Sequence, residues 1–203
     1  MGYLLPIVLG YLLGCSNMAY FLSRYQKKDL RSGGSGNLGA SNATILLGWK
    51  AGIAVALHDI AKAVLSVLLA KLLWPGMEFA GAAAGAAAVY GHIFPFYLKF
   101  RGGKGLASFW GMTVALNWKL GLIAALVILL ATVITDYIVI GTFSTIALVP
   151  AYTGLVLTNW TMALIVFLAS AMIFCKHFEN IGRLIRKEEL GLRSAIRGDN
   201  RIK

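Results

Sequence analysis

The loop Gly102-Gly103-Lys104-Gly105 sets an ammonium among glycines, a combination suited to holding an anion at close range. Two more polar islands interrupt apolar runs: Gly34-Ser35-Gly36-Asn37-Leu38-Gly39-Ala40-Ser41-Asn42 and His177-Phe178-Glu179-Asn180-Ile181-Gly182-Arg183. Glycines and short hydroxyl or amide side chains bring backbone N–H groups close to a bound group, and successive N–H groups form anion-binding concavities. Irregular backbone at membrane depth is tolerated only where it is buried in protein or lines a polar site. Three such islands in 203 residues point to phosphate chemistry at a bilayer surface.

The elements that position these islands are apolar helices. The chain is 59% hydrophobic and 13% charged, with a mean hydropathy of +0.75. Soluble chains carry about 25% charged residues. Apolar runs near the length of a helix crossing about 30 Å of hydrocarbon recur along the chain. This is the signature of an all-α integral membrane protein. The segment before Pro6 has no positive n-region, so the first apolar run is expected to be a retained span.

The formal charge of +11 is concentrated around the islands. Arg24, Lys27, Lys28, Arg31 and Lys50 flank the first, and Lys99, Arg101 and Lys104 surround the second. Lys176, Arg183, Arg186, Lys187, Arg193, Arg197, Arg201 and Lys203 crowd the C-terminal end. Only Lys71 and Lys119 lie in the remaining connections. This asymmetry is the positive-inside pattern, and its division among short juxtamembrane loops disfavours nucleic acid as a partner. Cys15 and Cys175 lie near the ends of apolar runs, with no disulfide framework and no metal-ligand spacing.

The hydropathy predicts one transmembrane domain over 1–203, with spans at about 3–22, 52–73, 79–98, 106–117, 120–135, 138–157 and 160–175. A basic tail, 176–203, follows as a short amphipathic helix and a frayed end. Splitting the run after Leu106 at Asn117-Trp118-Lys119 gives seven spans and puts all three islands on one side. The N-terminus is then outside and the C-terminus cytoplasmic; five crossings with a re-entrant pair give the same sidedness. Gly81 and Gly85 in the third span have the spacing for close helix contact.

His58, Asp59 and Lys62 lie inside the second span, where Asp59 and Lys62 share a face. Intramembrane charges face a bundle interior or a wet cavity. This set suits an ion pair bracing a loop, a substrate contact or ion translocation. His92, near the end of the third span, suits a packing residue or a catalytic one. Lys104 is no nucleotide-loop lysine, because Leu98 stands where the first glycine of that motif belongs and Gly105 where its hydroxyl belongs. His177 and Asn180 share a face if the last helix runs through them. No His-x-x-x-x-Asp pair occurs, which argues against acyltransferases that use that dyad with coenzyme A.

Together the three islands resemble, in order and over nearly the whole chain, the three motifs of the acyl-phosphate-dependent glycerol-3-phosphate acyltransferases, the PlsY family of bacterial inner-membrane enzymes. The second motif here is Gly91-His92 followed by Phe100-Arg101-Gly102-Gly103-Lys104-Gly105-Leu106-Ala107-Ser108. The resemblance implies acyl transfer from acyl phosphate to the 1-hydroxyl of glycerol 3-phosphate, giving lysophosphatidic acid and inorganic phosphate in phospholipid biosynthesis. It implies no cofactor and no metal, a multi-pass protein of the bacterial inner membrane, and a site on the cytoplasmic face among membrane lipids.

Carried onto this chain, the resemblance makes Lys104, His177 and Asn180 catalytic. It makes Ser35, Gly36, Asn37, Gly39, Asn42, His92, Gly102, Gly103, Thr142 and Arg183 substrate-binding. The chain departs from the family's pattern at Ile45 and Phe178, where arginine is usual, and at Gly182, where asparagine is. Asp136 and Val139 stand where a cation and a serine are typical, and Ser41 where threonine is. Rival readings are a small membrane transporter and a family member with an altered acceptor or no turnover.

Overall fold

The computed structural model describes residues 2–196, and every regular element among them is helical. The basic end beyond Ile196, expected to fray, lies outside the described residues. The chain divides into two compact units, Met1–Trp118 and Lys119–Lys203.

The first unit contains α1 (Leu4–Cys15), α2 (Met18–Tyr25), α3 (Ala40–Leu47), α4 (Trp49–Leu73), α5 (Ala80–Ile93) and α6 (Leu106–Leu116). Its centre is the pairing of α1 with α5, and α4 packs on both. Side-chain size explains the close approach. A methyl on Gly10 would run into the Ala84 carbonyl, and one on Gly14 into that of Ala88. On the facing helix, a methyl on Gly91 would strike the Tyr11 carbonyl. Small residues at four-residue spacing thus let two backbones touch, which in lipid replaces the hydrophobic drive available in water. The Gly81–Gly85 pair faces other neighbours: Lys71 for the first, Val67 and Met112 for the second. Leu57, Leu72 and Leu73 of α4 point outward and are exposed, as lipid-facing side chains are.

The first expected span, 3–22, corresponds to Leu4–Tyr25, within which the helix is interrupted at Ser16-Asn17. The Asn17 side chain accepts from the Tyr20 amide at 2.8 Å and starts α2 as its N-cap. Helix α1 therefore ends at Cys15, and the Ser16 carbonyl is left for a side-chain partner.

The second unit contains α7 (Trp118–Thr135, whose first residue is the boundary), α8 (Ile138–Leu155), α9 (Trp160–Lys176), α10 (Phe178–Ile185) and α11 (Leu192–Ile196). Helices α8 and α9 form its packed pair. Asn117 is extended between α6 and α7, at φ −150° and ψ 102°. Among the described residues, four stretches are long and apolar enough to cross a membrane: Leu4–Tyr25, Trp49–Leu73, Trp118–Thr135 and Ile138–Leu155. Helices α9 and α10, bent by 48°, make a fifth if they form one span. The expected spans 79–98 and 106–117 are the shorter helices α5, 14 residues, and α6, 11 residues.

Candidate active site

The first island is a loop stapled by Asn42. This fully buried side chain donates to the carbonyls of Leu30 at 2.7 Å and Asn37 at 2.9 Å, and accepts from the Ser35 amide at 2.9 Å. Both amide hydrogens of Asn42 are thus engaged, so Asn42 holds the loop and presents no N–H to a substrate. Gly34 and Gly36 supply the left-handed turns, at φ +58° and +66°. Asn37 donates to Ser35 Oγ at 2.7 Å, which orients that hydroxyl. Gly39 is the extended residue that starts α3, and a methyl there would lie 2.9 Å from Asn37 Oδ1.

The second island is built against the first. The Leu38 amide donates to the Gly102 carbonyl at 3.3 Å, across 64 residues of chain. The Gly102 amide donates to Ile93 O at 3.0 Å and the Gly103 amide to His92 O at 3.2 Å. A methyl at Gly102 would collide with the His92 carbonyl, and one at Gly103 with the His92 ring. The anion nest suggested by these glycines bears on four N–H groups, those of Ser35, Gly36, Gly102 and Gly103. The Gly36 amide bonds to Gly33 O at 3.0 Å, so all four are engaged within the fold. These glycines allow close approach of backbones. The first turns of α3 and α6 carry N–H groups that lack intrahelical acceptors. Gly105, at φ +97°, starts α6 directly after the half-buried Lys104. In that first turn the Ser108 hydroxyl is buried without a hydrogen-bond partner.

A buried polar cluster supports this second loop. Lys62 Nζ lies 2.7 Å from Asp59 Oδ1, 2.7 Å from Ser16 O and 3.0 Å from His92 Nδ1. The three ammonium hydrogens therefore meet three acceptors. With Nδ1 accepting, the His92 ring carries its proton on Nε2, the nitrogen that faces Gly103. Asp59 Oδ1 is also 3.2 Å from His92 Nδ1 and 3.7 Å from His58 Nδ1, and His58 Nε2 is 3.0 Å from Ser16 Oγ. Asp59 and Lys62 thus brace His92 beneath the loop, the first of the roles their spacing allowed.

The third island lies where the last long helix gives way to a short one, so the condition of one helix running through His177 and Asn180 is not met. Helix α9 stops at Lys176 and α10 starts at Phe178, with His177 capping both. His177 and Asn180 are both buried. His177 Nδ1 is 2.8 Å from the Ile173 carbonyl, so its N–H sits there and Nε2 is the accepting nitrogen. Phe143 packs edge-on against the imidazole, with ring centroids 6.0 Å apart. Asn180 Nδ2 donates to Glu189 Oε1 at 2.6 Å, and Arg183 Nε to Glu189 Oε2 at 2.7 Å. Thr142, on α8, is buried and donates to Ile138 O at 3.0 Å.

A profile of the family described as glycerol-3-phosphate acyltransferase matches residues 4–187. The chain belongs to the glycerol-3-phosphate acyltransferase family. It is 35% identical to glycerol-3-phosphate acyltransferase 1 of Oceanobacillus iheyensis, covering 96% of this chain and 97% of that protein. It is 40% identical to the glycerol-3-phosphate acyltransferase of Thermoanaerobacter pseudethanolicus, covering 95% and 98%. A crystal structure of PlsY (YgiH), an integral membrane glycerol 3-phosphate acyltransferase, in its glycerol 3-phosphate form matches with a TM-score of 0.86 at 27% identity, over 94% of this chain and 96% of that one. The lysophosphatidic acid form of PlsY matches with a TM-score of 0.82.

Membership makes the chain a membrane acyltransferase and leaves the transporter reading without support. Within the acyltransferase fold, two contributors escaped the sequence reading. Asn17, a lone amide in an apolar run, caps α2 and also donates to Leu38 O at 3.4 Å, tying the span break to the first island. Glu189 lay in a tail read only for its basic charge. Its sign, opposite to its neighbours, was the available signal.

Proposed function

We propose that this protein transfers a fatty acyl group from acyl phosphate to the 1-hydroxyl of glycerol 3-phosphate. The carbonyl–oxygen bond of the mixed anhydride breaks, an ester to glycerol C1 forms, and phosphate leaves as an anion. The hydroxyl proton passes to a phosphate oxygen or to His177 Nε2. The supporting observation is the Leu38–Gly102 hydrogen bond, which joins the backbone of the loop carrying Ser35 and Asn37 to that of the loop carrying Lys104. That combination suits a carbonyl carried on a phosphate.

In this reading Ser35, Asn37 and Gly39 hold the acyl phosphate on a loop that Gly36 turns, and Lys104 offsets charge between the two anionic substrates. His177, Asn180, Thr142 and Arg183 act on the acceptor. Asn42 and His92 position the loops, and Gly102 and Gly103 let them meet. Orientation supplies effective molarities of about 10⁵–10⁸ M, against roughly 10²–10⁴-fold from a general base. An already activated donor therefore needs placement more than a strong base.

The donor is the sharpest test. Purified protein given glycerol 3-phosphate is expected to release phosphate from palmitoyl phosphate and to leave palmitoyl coenzyme A unused. Transfer from the thioester alone would overturn the assignment.

We further propose that the chain works as one seven-span domain in the inner membrane, N-terminus outside, with its site on the cytoplasmic face. In a background with Cys15→Ala and Cys175→Ser, single cysteines at Ser32, Lys99 and Lys187 should resist an impermeant thiol reagent in intact cells and react in inverted vesicles. Labelling of any of them from outside would refute this sidedness.

A further inference from the structure

The segment after α10 folds back and is fixed at two places within the second unit. Lys187, at φ +58°, turns the chain out of α10. Two residues on, Glu189 lies across Asn180 and Arg183. The far end of the segment is held by Asp136, in the turn between α7 and α8. The Asp136 carbonyl accepts from the Leu192 amide at 2.7 Å, and its Oδ1 from the Arg193 amide at 2.8 Å. Arg193 Nη2 adds a bond to Val133 O at 3.3 Å. Gly191 packs so closely on the carboxyl group that a methyl there would lie 2.9 Å from Asp136 Cγ. Asp136 itself sits at φ +74°, a conformation that aspartate tolerates better than most residues. One residue thus makes the turn and supplies the latch.

The latch has a chemical consequence at the third island. An ionised carboxylate only accepts hydrogen bonds, so Glu189 requires Asn180 to turn its NH₂ toward it. That fixes which way the amide oxygen of Asn180 points. The same carboxylate holds Arg183 by Nε and sets the plane of its guanidinium. If the strap lifts, the amide can flip and the guanidinium can swing.

We propose that Asp136 is a positioning residue of the acyl transfer: by latching Gly191–Arg193 it seats Glu189 and so orients Asn180 and Arg183. This rests on the reading above that Asn180 and Arg183 meet the acceptor. Asp136 touches no substrate; it acts through the strap.

The test replaces the polar latch with a covalent one. In a Cys175→Ser background, Asp136→Cys with Gly191→Cys brings two sulfurs within bonding reach across this contact. Reduced, the double variant should lose kcat by about tenfold or more with an unchanged KM for palmitoyl phosphate, as expected when reacting groups lose alignment. Oxidised, it should recover to within about twofold of its parent, the strap being held again. Asp136→Asn keeps an oxygen for the Arg193 amide and should fall less than about threefold, whereas Asp136→Arg should fall like the reduced pair.

Equal kcat in the two redox states would overturn the proposal, and so would an oxidised form slower than the reduced one, because the strap would then have to lift for turnover. Asn180→Ala is measured alongside. If it is fully active, the underlying reading fails and the proposal falls with it. If it is inactive while the cysteine pair is indifferent to redox state, the latch alone is refuted.

Discussion

Lys62→Ala is expected to destabilise the folded protein by about 3–5 kcal/mol, the cost of leaving one member of a buried ion pair without its partner. Lys62 is 5% exposed and Asp59 2%, so water cannot stand in for the missing ammonium. The substitution takes the ammonium away from Asp59 Oδ1, Ser16 O and His92 Nδ1, leaving Asp59 only its imidazole neighbours and Ser16 O without its side-chain donor. The Ser16 carbonyl matters because the helix break at Asn17 removes it from backbone pairing. Thermal unfolding in detergent, followed by fluorescence, measures the loss. A variant carrying both Asp59→Leu and Lys62→Leu should recover much of that stability, since replacing a whole buried pair by apolar side chains is often neutral. Its activity should stay low, because His92 would have lost the partner that sets its ring against Gly103. An unchanged melting profile for Lys62→Ala would show that the pair contributes nothing to the fold.

That cluster also shows where sequence reasoning reaches its limit. The Asp59–Lys62 pair was legible because helical spacing alone places residues three apart on one face. Its third member, His92, lies 33 residues from Asp59 and meets it only through the packing of α5 on α4. The all-helical membrane architecture was legible from hydropathy, which depends on local composition and bilayer thickness. The roles of Gly102 and Gly103 were not. Their type suggested a nest for an anion, while their surroundings make them points of close approach to His92, Ile93 and Leu38. Type is local; the carbonyls that exclude a side chain come from elsewhere in the chain. The same limit hid the break in the first span, whose cause is one amide among apolar residues, and the clamp of Glu189 on Asn180, which depends on a turn at Lys187.

Lys104→Ala is expected to lower turnover by roughly a hundredfold or more, on the order of 3 kcal/mol, as when one electrostatic donor to a transition state is removed. The geometry gives this ammonium a setting that a lipid-interface lysine lacks. It follows a buried glycine locked to His92 and precedes Gly105, which opens α6. The positive end of α6 adds its partial charge at the same place. Two anionic substrates must come together, and the departing phosphate gains charge as the acyl–oxygen bond lengthens. A cation held by a rigid loop meets that growing charge without having to reorganise, which is why its removal should reduce kcat more than it weakens capture of the donor. Lys104→Arg tests the geometry separately. Its planar fork is wider and directs donors differently from a compact ammonium, so it should restore charge yet recover only part of the rate. Steady-state kinetics with palmitoyl phosphate and glycerol 3-phosphate decide the matter. Near-normal kcat in the alanine variant would reduce Lys104 to a side chain that merely extends its charge toward the membrane surface.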